Sequence, residues 1–275
     1  MTTGGLILTG WDWEPSVLIG CGVLVFLYWR LVRPRRRREF ALFIAGDLVL
    51  LLALVSPIDS LADEYLFSVH MVQHLLLVLA VPPLLIAGLS REFVEGLLRG
   101  PRLARIEQVC ARPLLAWVAA GAGFVFWHIP LFYNAALAHE GVHIVEHLTF
   151  LITATMYWWP LLHPMEESRL SVGKAVVYLF SASMLNTVLG IWITFAPLGS
   201  YPAYIQPKDT LGALSLIRDA WGISARTDQQ LGGLLMWVPA GLVYFSAIVA
   251  IVARWQSEAE FCEVIEPQTG ERNGR

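Results

Sequence analysis

Cysteine is scarce in this chain, and nothing pairs it. Cys21, Cys110 and Cys262 are the three present, and none forms a CxxC unit. Disulfide frameworks, thiol redox motifs and thiolate metal clamps are therefore unsupported. Charge is also sparse, at 15% of residues, and lysine is almost absent: only Lys174 and Lys208 occur. With no lysine in the last apolar run, a retinal Schiff base there is excluded. The start, MTTGGLILTGWDWEPS, carries no basic residue. A cleavable signal peptide begins with positive charge, so the first apolar run is expected to stay in the mature protein. Internal repeats are absent, and the arginine block near residue 35 is the only biased tract.

What fills the space is apolar. Hydrophobic residues make up 56% of the 275 positions, and the mean hydropathy is +0.60. Soluble domains are less apolar than this. The runs between charge clusters are close to the roughly 20 residues that cross a bilayer as helix. The expected fold class is all-α: a polytopic membrane protein of seven transmembrane helices, forming one domain over residues 1–254. The spans are placed at about 16–33, 40–55, 66–88, 113–134, 142–162, 174–196 and 233–254, with a polar, unstructured tail at 255–275. Pro57, Pro160 and Pro197 fall at or just past span ends. Pro82 and Pro83 fall inside the third, where a kink or early end is expected because proline supplies no amide N–H.

Arginine sets the direction. The first connection, RLVRPRRRREF, holds six arginines from Arg30 to Arg38; the third holds Arg91, Arg99, Arg102, Arg105 and Arg112. Arg169 and Lys174 flank the sixth span, and Arg254 closes the seventh. The alternate connections are acidic or neutral, as in SPIDSLADEY. Basic loops stay in the cytoplasm, which puts the N-terminus outside and the C-terminal tail inside. These arginines are membrane flanks, so no nucleic-acid partner is implied. Trp11, Trp13, Trp158 and Trp159 read as an interfacial belt. The long connection from 197 to 232 is expected outside. Leu211, Leu214 and Trp221 in TLGALSLIRDAWGIS form an apolar stripe suited to a short helix on the membrane surface, as a lid, a docking surface or a plain connector.

On this topology six of the seven histidines collect at one level, the outer leaflet or just above it. His70 and His74 open the third span, His128 closes the fourth, His139 sits in the loop, and His143 and His147 open the fifth. His163 alone falls inside, as an interfacial residue. Residues at i and i+4 share a helix face, so His70/His74 and His143/His147 are both facing pairs. Ionisable groups within spans are costly and usually functional. Five imidazoles, His70, His74, His128, His143 and His147, are therefore candidate metal ligands for one or two ions. Imidazole suits copper, zinc, iron and nickel, and thioether favours cuprous copper. Accessory candidates are Met71, turned about 100° from His70 on a helix, Met236, His139, Glu146, and Asp228 as a carboxylate orienting a histidine. Gly232 and Gly233 permit close helix approach. Within the membrane, Asp47 is either a proton-relay residue or a neutral hydrogen-bonding acid, and Asn186 a helix–helix hydrogen bond.

The segments HMVQH, FWHIPLFYNAAL, HIVEHLTFLITATMYWWPLL and DQQLGGLLMW, taken in order, resemble the seven-helix CtaG family of bacterial cytochrome c oxidase assembly factors. The likeness runs over nearly the whole chain. It implies a non-enzymatic role in building aa-type oxidases in the bacterial cell (inner) membrane. By the same resemblance its partners would be oxidase subunits and extracytoplasmic copper carriers, with copper supplied through His70, His74, His128, His143 and His147. A single-span copper chaperone shares the family name but acts through a cysteine motif absent here. Two other readings stay open on the residues. One is a membrane electron-transfer protein holding a b-type haem, with Phe126, Trp127 and Tyr133 lining a pocket. The other is a metal-ion or proton transporter, for which only Asp47 and Asn186 supply polar groups deeper in the membrane.

Overall fold

The computed structural model describes residues 2–32 and 36–270, with side chains as far as Ser257. Arg33 and Arg35 of the arginine block and the last five residues lie outside that range. The described residues are helical with no strand. In chain order they form α1 (Thr3–Thr9), α2 (Pro15–Leu27), α3 (Arg37–Val55), α4 (Pro57–Glu64), α5 (Phe67–Leu75), α6 (Val81–Ala87), α7 (Arg91–Leu98), α8 (Pro101–Cys110), α9 (Pro113–His128), α10 (Pro130–Ala138), α11 (Glu140–Leu162), α12 (Val172–Phe195) and α13 (Ala225–Gly270). Proline opens α2, α4, α8, α9 and α10. Its missing N–H costs nothing in a first turn, and its φ is already helical.

Among the described residues, four continuous helical stretches are long and apolar enough to cross a bilayer: 15–32, 67–87, 172–195 and 225–257. The bent pairs α3–α4 (45°) and α8–α9 (64°) raise the number to six when each is taken as one span. The expected fifth span coincides with α11. At 23 residues it is long enough, but His143, Glu146, His147 and a run of Thr, Tyr and Trp make it less apolar. Large apolar side chains face outward along these helices, among them Ile19, Phe26, Val188, Phe195, Leu242 and Phe245. In water such a surface would aggregate; in lipid it is the solvated face. The protein is a membrane protein.

The structure corrects several expectations. The fourth span ends at His128, not near residue 134, because Ile129 precedes Pro130 and is extended (φ −66°, ψ 126°); a residue before proline is pushed out of the helical region. Pro160 lies inside α11 rather than at its end. The tail is helical to Gly270 as a continuation of α13, where an unstructured segment is expected. Trp158 is buried, not part of an interfacial belt. Its partner explains why. The third span does not end at Pro82–Pro83; it widens into a π turn, Leu76–Ala80, between α5 and α6. The Val78 carbonyl would accept from residue 82 in an α-helix or residue 83 in a π-helix, and both are prolines. Trp158 Nε1 donates to that carbonyl at 2.9 Å.

Three glycines bring α13 against its neighbours. A Cβ on Gly190 would lie 2.6 Å from Trp237 Cδ1 and 2.8 Å from the Gly233 carbonyl oxygen; one on Gly233 would strike Thr194, and one on Gly232 the Phe67 ring. Small residues let helix backbones approach where lipid gives no hydrophobic drive. α13 is thereby seated against α12 and the start of α5 at once. Asn186 of α12 and Tyr244 of α13 line a small cavity of about 40 Å³ lower in this packing.

Candidate metal centre

The site forms where α5 and α11 begin and α9 ends. α5 is held from three directions. Leu66, its N-cap, gives no side-chain bond. The exposed amides are taken instead by Asp228 of α13: Phe67 N donates to Oδ2 at 2.8 Å, Ser68 N to Oδ1 at 3.0 Å, and Ser68 Oγ to Oδ1 at 2.6 Å. Asp228 thus caps the helix that carries the histidines and is not hydrogen-bonded to a histidine, contrary to the sequence expectation. One turn on, Gln73 Nε2 donates to the Ala53 carbonyl (2.9 Å) and to Asp59 (2.6 Å), tying α5 to α3 and α4. That leaves His70 and His74 on the face toward α9 and α11.

The five histidines come together. Ring centroids are 4.3 Å apart for His70–His74, 4.1 Å for His143–His147, 5.4 Å for His70–His143, 5.7 Å for His74–His147 and 5.6 Å for His74–His128. His70, His74 and His128 are fully buried. His128 Nδ1 contacts the Phe124 carbonyl at 2.6 Å. A carbonyl only accepts, so Nδ1 carries the proton and Nε2 keeps its lone pair. His70 Nδ1 lies 3.3 Å from the Ala62 carbonyl, a longer contact that does not fix its tautomer in the same way. Nε2 of His70, His74, His128, His143 and His147, with His74 Nδ1 and both Glu146 oxygens, are buried without a hydrogen-bond partner. Buried polar atoms are nearly always paired, and an unpaired one costs about 1–3 kcal/mol. So many unpaired donor atoms on neighbouring side chains fit a bound cation. Ligand atoms of His70, His74 and His147 lie within 4.8 Å of one another, as do those of Asp63, His70 and His143. Phe150 and Phe124 wall the inner side, with Phe150 4.6 Å from the His74 ring.

Of the accessory candidates, Glu146 is fully buried with Oε1 3.7 Å from His74 Nε2. Met71 and Met236 are buried in the adjoining apolar cluster, and Met71 Cγ lies against Gly232. His139 is exposed at the start of α11. Asp47 is buried in α3, with Oδ1 unpaired. His163, just past the end of α11, is buried: its Nδ1 accepts from Met165 N at 3.0 Å and its Nε2 lies 3.4 Å from Glu107. Burial lowers the His163 imidazole pKa from its ordinary value, against the pull of Glu107.

Two groups escaped the sequence reading. Asp63, on α4, puts Oδ1 3.7 Å from His70 Nδ1 and Oδ2 3.4 Å from His143 Nδ1. Its signal was an acidic cluster directly before HMVQH, which the topology argument used only for its sign. Tyr204, from the 197–232 connection, donates to the Ala62 carbonyl at 2.8 Å and lies 3.2 Å from His70 Nδ1. Tyr133 meets Tyr204 at 2.8 Å, and Tyr201 donates to the His128 carbonyl at 2.9 Å. The connection therefore packs over the site as a lid. The segment between the stripe residues forms a π turn, Leu216–Ala220, and Leu211 and Leu214 ahead of it pack against the cluster of Leu6, Tyr65 and Leu66.

The fold and the site define a class: an all-helical membrane protein with a buried polyhistidine cluster at one end of its bundle. Within that class the chain belongs to the cytochrome c oxidase caa3 assembly factor (Caa3_CtaG) family, whose model matches residues 25–258. Uncharacterized proteins of Mycobacterium bovis and Mycobacterium tuberculosis are each 25% identical to it over 279 aligned positions, covering 90% of this chain and 40% of theirs. One from Mycobacterium leprae is 22% identical, covering 69% of this chain and 30% of its own. The chain thus spans well under half the length of these curated relatives. No solved structure matches.

Proposed function

We propose that this protein is a seven-span, multi-pass protein of the bacterial cell membrane that binds copper at the outer ends of α5, α9 and α11 and delivers it to a subunit of an aa-type cytochrome c oxidase. The role is non-catalytic, and the oxidase subunit and extracytoplasmic copper carriers are its partners. One observation carries the reading: five imidazoles pack together with their Nε2 atoms buried and unpaired. The donor set supports exchange. Imidazole binds copper and zinc, and no thiolate is present to lock the metal in. Zinc remains the alternative ion. Rings packed at 4.1–6.2 Å leave no slot for a macrocycle, which weighs against the haem reading. The histidines also stand at one end, which weighs against a transport path through the bilayer. The arginine asymmetry supports an outward-facing site.

The test is the double substitution His74→Ala with His147→Ala. The protein accumulates in the membrane, because insertion depends on the apolar spans. Its copper content, measured on freshly purified material, falls, and oxidase activity falls with it. His163→Ala changes neither. Full oxidase activity in the double variant refutes the proposal.

A further inference from the structure

We propose that the cluster is two overlapping cation sites sharing His70, an inner set of His70, His74 and His147 and an outer set of Asp63, His70 and His143, which one ion occupies in turn as it enters. This rests on the metal-binding reading above and adds an order and a direction to it. In each set the ligand atoms lie within 4.8 Å of one another. Metal–nitrogen and metal–oxygen bonds are about 2 Å, so modest side-chain movement closes either set on an ion.

The two sets differ in access. His70 and His74 have no exposed surface, and Phe150 backs His74. Tyr204 and Tyr133, hydrogen-bonded to each other, pack against His70, Tyr204 through its hydroxyl and Tyr133 with its ring 5.2 Å away. In the outer set, Asp63 and His143 keep 33% and 14% of their side chains exposed. The open approach to His70 is thus past Asp63 and His143. Neither residue is satisfied by the other: 3.4 and 3.7 Å are long for hydrogen bonds to the two imidazoles. Asp63 Oδ1 and His143 Nε2 are buried without partners.

They differ in chemistry as well. A carboxylate with two imidazoles accepts a partly hydrated divalent ion. The three inner ligands are all imidazole nitrogens and dry, with the Glu146 carboxyl outside the set at 3.7 Å from His74 Nε2, an environment that suits copper or zinc stripped of water. His70 presents Nδ1 toward Asp63 and has its unpartnered Nε2 on the ring's other side. Because one ring serves both sets, an ion passes between them without leaving protein ligands, and filling one set empties the other.

The probe is Cu(II) chloride added to the purified full-length protein in detergent, followed by freeze-quenched electron paramagnetic resonance. Wild type takes up one copper per chain. An early spectrum with mixed oxygen and nitrogen ligation gives way to one with nitrogen alone. Asp63→Asn reaches the same final stoichiometry at least tenfold more slowly, without the early signal. His74→Ala stops at the early signal. The wild-type time course needs no variant to fold, so a single nitrogen-only spectrum from the first time point overturns the proposal. So does an Asp63→Asn protein that loads at the wild-type rate or binds no copper at equilibrium, and so does a wild type that holds two ions at once. In those cases the copper-binding reading stands wherever wild type still loads. A wild type that takes up no copper overturns both.

Discussion

Asp228→Ala tests how the histidine face of α5 is held. An α-helix leaves its first amides without partners. Here Phe67 N and Ser68 N are two of them, and Asp228 receives both, together with the Ser68 hydroxyl, at 2.6–3.0 Å. The carboxylate is fully buried, so water does not replace it. Hydrogen bonds to a charged acceptor contribute about 1.5–3 kcal/mol each, and a stranded buried N–H costs about 1–3 kcal/mol. Against this, burying the carboxylate is itself expensive, so the sum is trimmed to roughly 3 kcal/mol. For a chain of this size that lowers the thermal midpoint by about 5–10 °C. Asp228→Asn keeps one acceptor oxygen but turns an amide donor toward the other N–H, and loses about half as much. The measurements are thermal unfolding in detergent and amide hydrogen exchange along α5. Exchange should rise first at Phe67 and Ser68 and reach His70, whose amide is bonded back to the Leu66 carbonyl. Copper affinity falls with it, because His70 and His74 must be ordered before they bind. An alanine variant with the wild-type midpoint and unchanged protection at residues 67–70 would refute the capping argument.

Trp158→Phe removes the indole donor to the Val78 carbonyl, whose helical partners would be Pro82 and Pro83. It should cost about 1–3 kcal/mol in detergent unfolding while leaving copper stoichiometry unchanged; an unaltered midpoint would mean that water serves that carbonyl equally well. For the topology, truncations fused to a reporter after Glu64 and after Gly100 should report outside and inside respectively. The same side for both would remove the outward-facing site.

Hydropathy located the long apolar helices because membrane insertion selects for them directly. It failed where hydrogen bonding decides. The stretch IPLFYNAAL is apolar, so the fourth span was carried through it. Yet Pro130 forces Ile129 out of the helix and ends α9 at His128. At Pro82–Pro83, where a kink or an early end is expected, the helix continues through a π turn just before the prolines. What permits this is an indole 80 residues away. Nothing local in either segment encodes that partner, so Trp158 was assigned by composition to the interface. Gly232 and Gly233 were legible as a close-approach surface, because small residues have few other uses there, but Thr194 and Phe67 as the surfaces approached were not.

The histidines were legible for a stronger reason. Spacing of i and i+4 is a property of one helix, and the level at which a helix enters the membrane follows from arginines elsewhere; two independent signals agreed before any tertiary contact was known. Asp63 and Tyr204 carry no such pair of signals. Asp63 reaches His70 because the chain bends by 45° between α3 and α4 and then turns again into α5. Tyr204 arrives because Arg218 holds its backbone carbonyl at 2.7 Å, fixing the connection over the site. Both depend on how three elements meet, which spacing does not record. The distinction has a chemical counterpart. The imidazoles repeated along α5 and α11 form a pocket suited to holding a metal, and a pocket of that kind alone would be hard to enter. The residues hidden from the sequence are those at its boundary: Asp63 at the open side and Tyr204 at the closed one. Access depends on long-range packing, while the ligand face depends on helical repeat. A substitution at the boundary should therefore change the rate of metal exchange, and one in the repeat should change its equilibrium.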